Sequence, residues 1–352
     1  MRVPGVAALV AAAILGVALA GACSSSARSA DGPPARRAFY YWRTTFRLAP
    51  AEQQALAELG IARLYVRAFD VAWSAEDAAP SILGKLAVAD GARVPAGIEV
   101  VPVVFLREEV LRRGAARLGP LAAEVWAEVQ RRMALLGVTP RELQLDCDWT
   151  DGSRDAFFAL LARVRERSGL PLSATIRLHQ IKYRERTGVP PVERGMLMFY
   201  NMGQFSADPE ARAIFDPQSA ARYLARVSEY PLPLDVALPI WSWTVHLRDD
   251  AVEGLLQSTD PDELAALPFL RRAAPDRYVA TQTAFLHGTL LREGDMLKIE
   301  VTGPDDALAA ARQIAPHLAA AAGRTVTLFD LSERNLARHA PATLDLVFRA
   351  VH

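Results

Sequence analysis

The stretch Leu143-Gln144-Leu145-Asp146-Cys147-Asp148-Trp149-Thr150 alternates apolar and polar residues with a period of two. Successive side chains of a β-strand point to opposite faces, so Leu143, Leu145, Cys147 and Trp149 share one face and Gln144, Asp146 and Asp148 the other. Such a strand fits the wall of a closed parallel barrel, its apolar face under outer helices and its acids turned inward. Barrel interiors are normally filled with bulky apolar side chains, and a buried carboxylate without a partner is costly. Two inward acids near a strand's C-terminal end therefore mark a site, or else a structural ion pair with an inward arginine.

Outward from this segment, runs of β-branched and aromatic residues alternate with segments of helical period. Strands are expected at 38–43, 61–69, 98–106, 142–149, 171–179, 195–201, 234–241 and 325–331, with helices including 50–59, 118–136, 153–168, 217–229 and 305–322. Pro50 suits a first helical turn, and Ser153 suits a cap. Eight such units predict an α/β fold, a (β/α)8 TIM-type barrel over 38–352. The competitor is an open doubly wound sheet, but Trp42-Arg43-Thr44-Thr45 after the first strand holds no Gly-rich phosphate loop. One connection, 242–302 after the seventh strand, is too long for a simple loop. Within it, 278–286 and 296–301 flank Arg292-Glu293-Gly294-Asp295, a hairpin signal. This insertion is expected to rise from the C-terminal face of the barrel, as a lid, a wall or mere decoration.

The fifth strand repeats the inward polar face with Ser173, Thr175, Arg177 and His179, and Arg177 is the natural partner of the strand-four acids. Aromatic residues crowd the same rim: Tyr41 and Trp42 after strand one, Tyr200 after strand six, Trp241 and Trp243 after strand seven. Flat rings beside polar groups suit sugars, whose C–H faces stack on aromatics while hydroxyls find carboxylates and amides. The candidate substrate-binding set is Trp42, Arg43, Arg177, His179, Tyr200, Asn201, Trp241 and Trp243, with Asp146 and Asp148 as candidate catalytic acids.

Asp146-Cys147-Asp148-Trp149, with Met198-Phe199-Tyr200-Asn201 on strand six, resembles the signature of family-eighteen chitinase-type glycosidases. That family carries alternating aspartates ending in a catalytic glutamate on strand four, and Met-x-Tyr-Asp on strand six. Asp146 and Asp148 match its last two aspartates, and Met198 and Tyr200 match the strand-six pair. Thr150 stands at the glutamate's place, Leu143 at the first aspartate's and Asn201 at the strand-six aspartate's. Without that glutamate the chitinase mechanism does not carry over, since a glycosidase needs an acid to protonate the leaving oxygen. Over nearly the whole mature chain, the Tyr-Trp-Arg start, Leu-Asp-Cys-Asp-Trp-Thr and Phe285-Leu286-His287-Gly288 with Gly294-Asp295 resemble a bacterial domain family of unassigned activity. Its members look like lipoproteins and are grouped with glycosidase-type barrels, which implies fold and localisation and leaves activity open.

The N-terminus agrees with export. Arg2 precedes an uncharged apolar run from Val6 to Ala20, then Gly21-Ala22-Cys23 and Ser24-Ser25-Ser26. This is the layout of a secretory signal, 1–22, and the cysteine after small residues resembles the lipobox of bacterial lipoproteins, with Leu19 and Ala20 in place of the usual leucine. An ordinary secreted protein cut near Cys23 is the alternative. Acylation of Cys23 would anchor the protein to the cell envelope through a tether at 23–37, rich in Ser, Pro, Gly and Arg. The only other cysteine is Cys147, on the buried face of strand four.

Forty basic and forty acidic residues give zero formal net charge, and no basic stretch is interleaved with aromatics, which argues against a nucleic-acid partner. Nothing calls for a cofactor. Three functions stay open: a glycan hydrolase using Asp146 or Asp148, a non-catalytic glycan-binding lipoprotein, and a metal hydrolase using Asp146, Asp148 and His179. No His-x-His or His-Glu-x-x-His pair supports the last. In the hydrolase reading, acid and base must flank the scissile bond, so a partner such as Asp70 or Asp330 from another strand is required.

Overall fold

The computed structural model describes residues 35–351 except 204, 209, 210, 258–260 and 320. The leader 1–22 and Cys23 lie outside the described residues. Eight parallel strands form the barrel: β1 Arg36–Tyr41, β2 Arg63–Ser74, β3 Glu99–Leu106, β4 Leu143–Cys147, β5 Leu172–Arg177, β6 Arg194–Met198, β7 Leu234–Pro239 and β8 Thr325–Phe329. They are hydrogen-bonded in the order 1-8-7-6-5-4-3-2, and β1 also pairs with β2 (Tyr40 beside Tyr65), which closes the ring. The fold is the expected (β/α)8 barrel with an insertion after strand seven. β1 begins at Arg36, inside the stretch read as tether, because Arg36 pairs with Thr325 and Arg37 meets Asp345 at 2.8 Å.

The outward faces and the helices carry the main core. Leu143, Leu145, Cys147 and Trp149 are buried together with Leu121, Val125 and Val129 of the helix Leu118–Leu136 and Phe157 and Leu161 of the helix Arg154–Ser168. Trp149 stacks on Phe157 at 4.9 Å, and its indole N–H donates to Thr187 O at 2.9 Å. Burial pushes the Cys147 thiol well above its usual range, so it stays protonated and unreactive. Pro50 opens the helix Pro50–Glu58, as expected. Ser153 stands at a helix N-cap but does not cap it. Its hydroxyl instead accepts the Thr150 N–H at 3.0 Å and donates to Glu108. The last long helix stops at Ile314, short of the expected 322, and Pro316 follows in a 3-10 turn.

The charged side chains in the N-terminal half of the barrel interior are paired. Arg63 donates to Glu142 at 2.8 Å and Glu99 at 2.9 Å, Ser173 to Glu142 at 2.6 Å, and Arg194 to Asp235 at 2.6 Å. This network occupies the N-terminal end of the interior.

The insertion is a five-stranded antiparallel sheet, ordered 251–257, 242–248, 296–301, 277–280, 270–274, with a small hairpin at 284–286 and 289–291. Arg277–Ala280 pairs with Met296–Val301 as the sequence predicts, but the expected strand 278–286 breaks after Ala280, where the small hairpin intervenes. Asp295 holds the turn: it accepts Arg248 (2.8 and 2.9 Å), His246 (2.7 Å) and the Arg292 N–H (2.8 Å). Burial opposes its charge, but these bonds prevail and hold the carboxyl down at about 2, below its ordinary 3.8. A depressed folded value contributes stability that is present above pH 4 and lost as pH falls through about 2. The contribution is roughly 2 kcal/mol. Asp295→Asn is therefore expected to lose about that much at neutral pH and to flatten the acid limb between pH 4 and 2. Urea titrations across that range check both.

Candidate functional site

A cavity of about 520 Å³ opens at the C-terminal end of the barrel. Its residues come from strand ends or the turns just beyond them, as the parallel topology dictates. Trp42 and Arg43 follow β1, Arg67 and Asp70 lie on β2, Phe105 and Arg107 close β3, Asp146 is on β4 and Arg177 ends β5. Met198 ends β6, with Tyr200 and Asn201 just beyond. Trp241 follows β7, Ser242 and Trp243 open the insertion, and Phe329 and Asp330 end β8. Ser332, Arg334 and Asn335 complete the lining. The insertion thus serves as a wall of the cavity.

Asp146 behaves as its alternation predicts. It is 3% exposed and accepts the Thr175 hydroxyl at 2.6 Å and the Arg177 guanidinium at 3.0 Å. Burial works against the Arg177 charge, but the Asp146 carboxylate, with smaller help from Tyr200 and Asp148, outweighs it and raises the guanidinium's pKa. A purely structural pair would have Arg177 neutralise both strand-four acids and leave no space. Here Arg177 takes Asp146 alone, and the cavity remains open beside them.

Asp148 and His179 do not join them. β4 ends at Cys147, because Trp149 is anchored outside the barrel by Phe157, Thr187 and the Gln180 amide, which donates to Trp149 O at 2.9 Å. Asp148 consequently sits on the surface, its side chain 61% exposed, with His179 Nε2 at 3.4 Å. β5 likewise stops at Arg177, whose N–H donates to the Gln180 side chain and starts the helix Leu178–Lys182 that carries His179 out to the rim. The expected meeting of Asp146, Asp148, Arg177 and Tyr200 is corrected to Asp146, Arg177 and Tyr200. Thr150 also faces outward and donates to Glu108 at 2.6 Å. Among the described residues no group of three or more His, Cys, Asp or Glu is placed to hold a metal ion, and Asp146 stands apart from the Asp148–His179 pair.

The aromatic wall is larger than the sequence reading anticipates. Trp42 lies 5.3 Å from Phe329, Trp241 lies 5.1 Å from Phe329, and Tyr200 meets Trp241 edge to face at 4.5 Å. Burial pushes the Tyr200 phenol far up, so it remains a protonated donor. Asn201 adopts φ +54°, a conformation asparagine tolerates well, and donates its N–H to Ile214 O. The long β6–β7 connection is tied to the insertion: buried Lys298 donates to Asp208 O and Ala211 O at 2.8 Å, and Glu300 accepts the Ala213 N–H.

Two further carboxyls face the cavity, Asp70 and Asp330, named above only as partners. Asp70 is clamped by Arg67, whose guanidinium also lies over the Trp42 ring at 5.5 Å. Asp330 accepts the Asn335 amide at 2.7 Å. Burial pushes its carboxyl up to about 6, against the opposing pull of Arg43 and of Asn335. Arg43 itself is held by buried Glu52, with both oxygens at 2.8 Å. Arg67, Phe105, Arg107, Phe329, Ser332, Arg334 and Asn335 were missed by the sequence reading. The available signal was position, since Phe105 and Phe329 stand at strand C-termini where barrel sites form.

No protein-family model matches the chain, and no curated protein matches it in sequence. Solved structures do share its fold. The spore cortex-lytic enzyme SleL of Bacillus cereus matches with a TM-score of 0.52 at 12% identity, over 91% of this chain and 75% of that one. A chitinase from Chromobacterium violaceum matches with a TM-score of 0.51 at 12% identity, over 90% and 98%. A chitinase-like agglutinin from Robinia pseudoacacia matches with a TM-score of 0.50 at 12% identity, over 90% and 99%. At such identities the likeness is one of fold, the (β/α)8 barrel.

Proposed function

We propose that this chain is an exported lipoprotein whose barrel binds and hydrolyses a glycan of the cell envelope or its surroundings, with Asp330 as the general acid. The observation that carries the reading is Asp330 itself: a carboxyl in an aromatic-walled cavity, raised towards neutrality by burial. A group protonated near neutral pH is what a glycosidase uses to protonate its leaving oxygen. Asp330 follows β8 and Asp146 lies on β4, four strands apart around the ring in either direction, so the two approach a bound sugar from opposite walls. Asp146 is then the second carboxylate, a nucleophile in a retaining mechanism or the base for water in an inverting one. Trp42, Trp241 and Phe329 offer the faces on which a sugar ring stacks. Reducing-end release by the full chain on a panel of cell-wall and other polysaccharides tests the reading. A panel that is neither cleaved nor bound rejects it.

A second reading, glycan binding without cleavage, is favoured by Thr150, which stands in place of the chitinase acid and is turned outward onto Glu108. Binding without turnover would select it.

The anchoring part of the proposal rests on Gly21-Ala22-Cys23 after the apolar run. Cys23→Ala is expected to move the protein from the membrane fraction to the soluble exported fraction. Unchanged membrane retention on fractionation rejects the lipid anchor.

A further inference from the structure

The cavity lining is rich in cations and in unused donors. Five arginines, Arg43, Arg67, Arg107, Arg177 and Arg334, face three aspartates. Arg43, Arg67 and Arg177 are each held by a carboxylate at hydrogen-bond distance. Arg334 has only a long 3.8 Å approach to Glu263, and Arg107 has no ion-pair partner among the described residues. Four buried donor atoms of lining residues also lack a protein acceptor: Arg43 Nε, Trp241 Nε1, Trp243 Nε1 and Arg334 Nη1. No buried acceptor of a lining side chain is left without a donor in the same way.

A neutral sugar hydroxyl brings a donor together with its acceptor lone pairs, whereas a carboxylate or sulfate ester brings acceptors only. Guanidinium groups bind such planar or multi-oxygen anions through paired, charge-assisted hydrogen bonds. A site with more arginines than aspartates and a free guanidinium is therefore matched by an anion. We propose that the ligand of this cavity is an acidic glycan, whose carboxylate or sulfate oxygens are received by Arg107 and Arg334. The proposal rests on the reading of the cavity as a sugar site and names the class of sugar.

Calorimetric titration of the full chain tests it with four probes: an oligogalacturonate, the same oligomer after carboxyl reduction, a sulfated galactan oligomer, and a neutral chitooligosaccharide. Either acidic oligomer is expected to bind at least about tenfold tighter than the reduced and neutral ones. That advantage is expected to shrink when NaCl rises from about 50 to about 500 mM, and to narrow severalfold in Arg107→Gln. Equal or tighter binding of the neutral oligomers overturns the acidic assignment and leaves the sugar reading standing. If no probe of either kind binds, the acidic assignment falls together with the sugar reading.

Discussion

Asp330→Asn is expected to lower turnover by about 10²-fold or more while leaving glycan affinity and the fold in place, because the amide keeps the size and the Asn335 contact but has no proton to give. The pH profile supplies an independent check. With its carboxyl at about 6, the acid form of Asp330 predominates below that pH and falls roughly tenfold per unit above it. kcat/KM is therefore expected to decline above pH 6, and initial rates between pH 4 and 9 measure it. The same raised value means that ionised Asp330 costs stability, since a raised carboxyl contributes stability at low pH and loses it as pH rises through about 6. Asp330→Asn removes that cost, so denaturation at pH 7 should show a variant at least as stable as the parent. Turnover persisting undiminished in this variant would exclude Asp330 as the acid.

Arg177→Met is expected to produce the largest loss of stability at the site, on the order of 3 kcal/mol, because it leaves the Asp146 carboxylate in the barrel with only the Thr175 hydroxyl. The carboxylate left behind has no compensating cation, and its burial makes that charge costly. The double variant Asp146→Asn/Arg177→Met is expected to recover most of the loss, since the uncompensated charge is gone. Denaturant titrations of the three proteins at pH 5 and pH 7.5 form the check. Equal stability of the single variant and the parent would show that the pair contributes nothing to the fold.

The order of eight strands, the inward placement of Gln144, Asp146, Thr175 and Arg177, and the insertion after strand seven were all legible in the sequence, because periodicity two and the strand–helix alternation are local properties. Local pattern also identified the aromatic rim, as Trp42, Tyr200, Trp241 and Trp243 stand just past strand ends. The tertiary structure decided where each strand stops. Asp148 continues the alternation on paper, yet burial of Trp149 against Phe157 pulls the chain out of the sheet one residue earlier, and capping by Gln180 does the same to His179. It decided as well which distant residues meet. Asp70 and Asp330, about 260 positions apart in the chain, share a cavity with Asp146 only because the sheet closes on itself. The raised carboxyl of Asp330 follows from burial, which outweighs the opposing pull of Arg43 and Asn335. Desolvation is a property of the assembled neighbourhood, which the sequence of one strand does not contain.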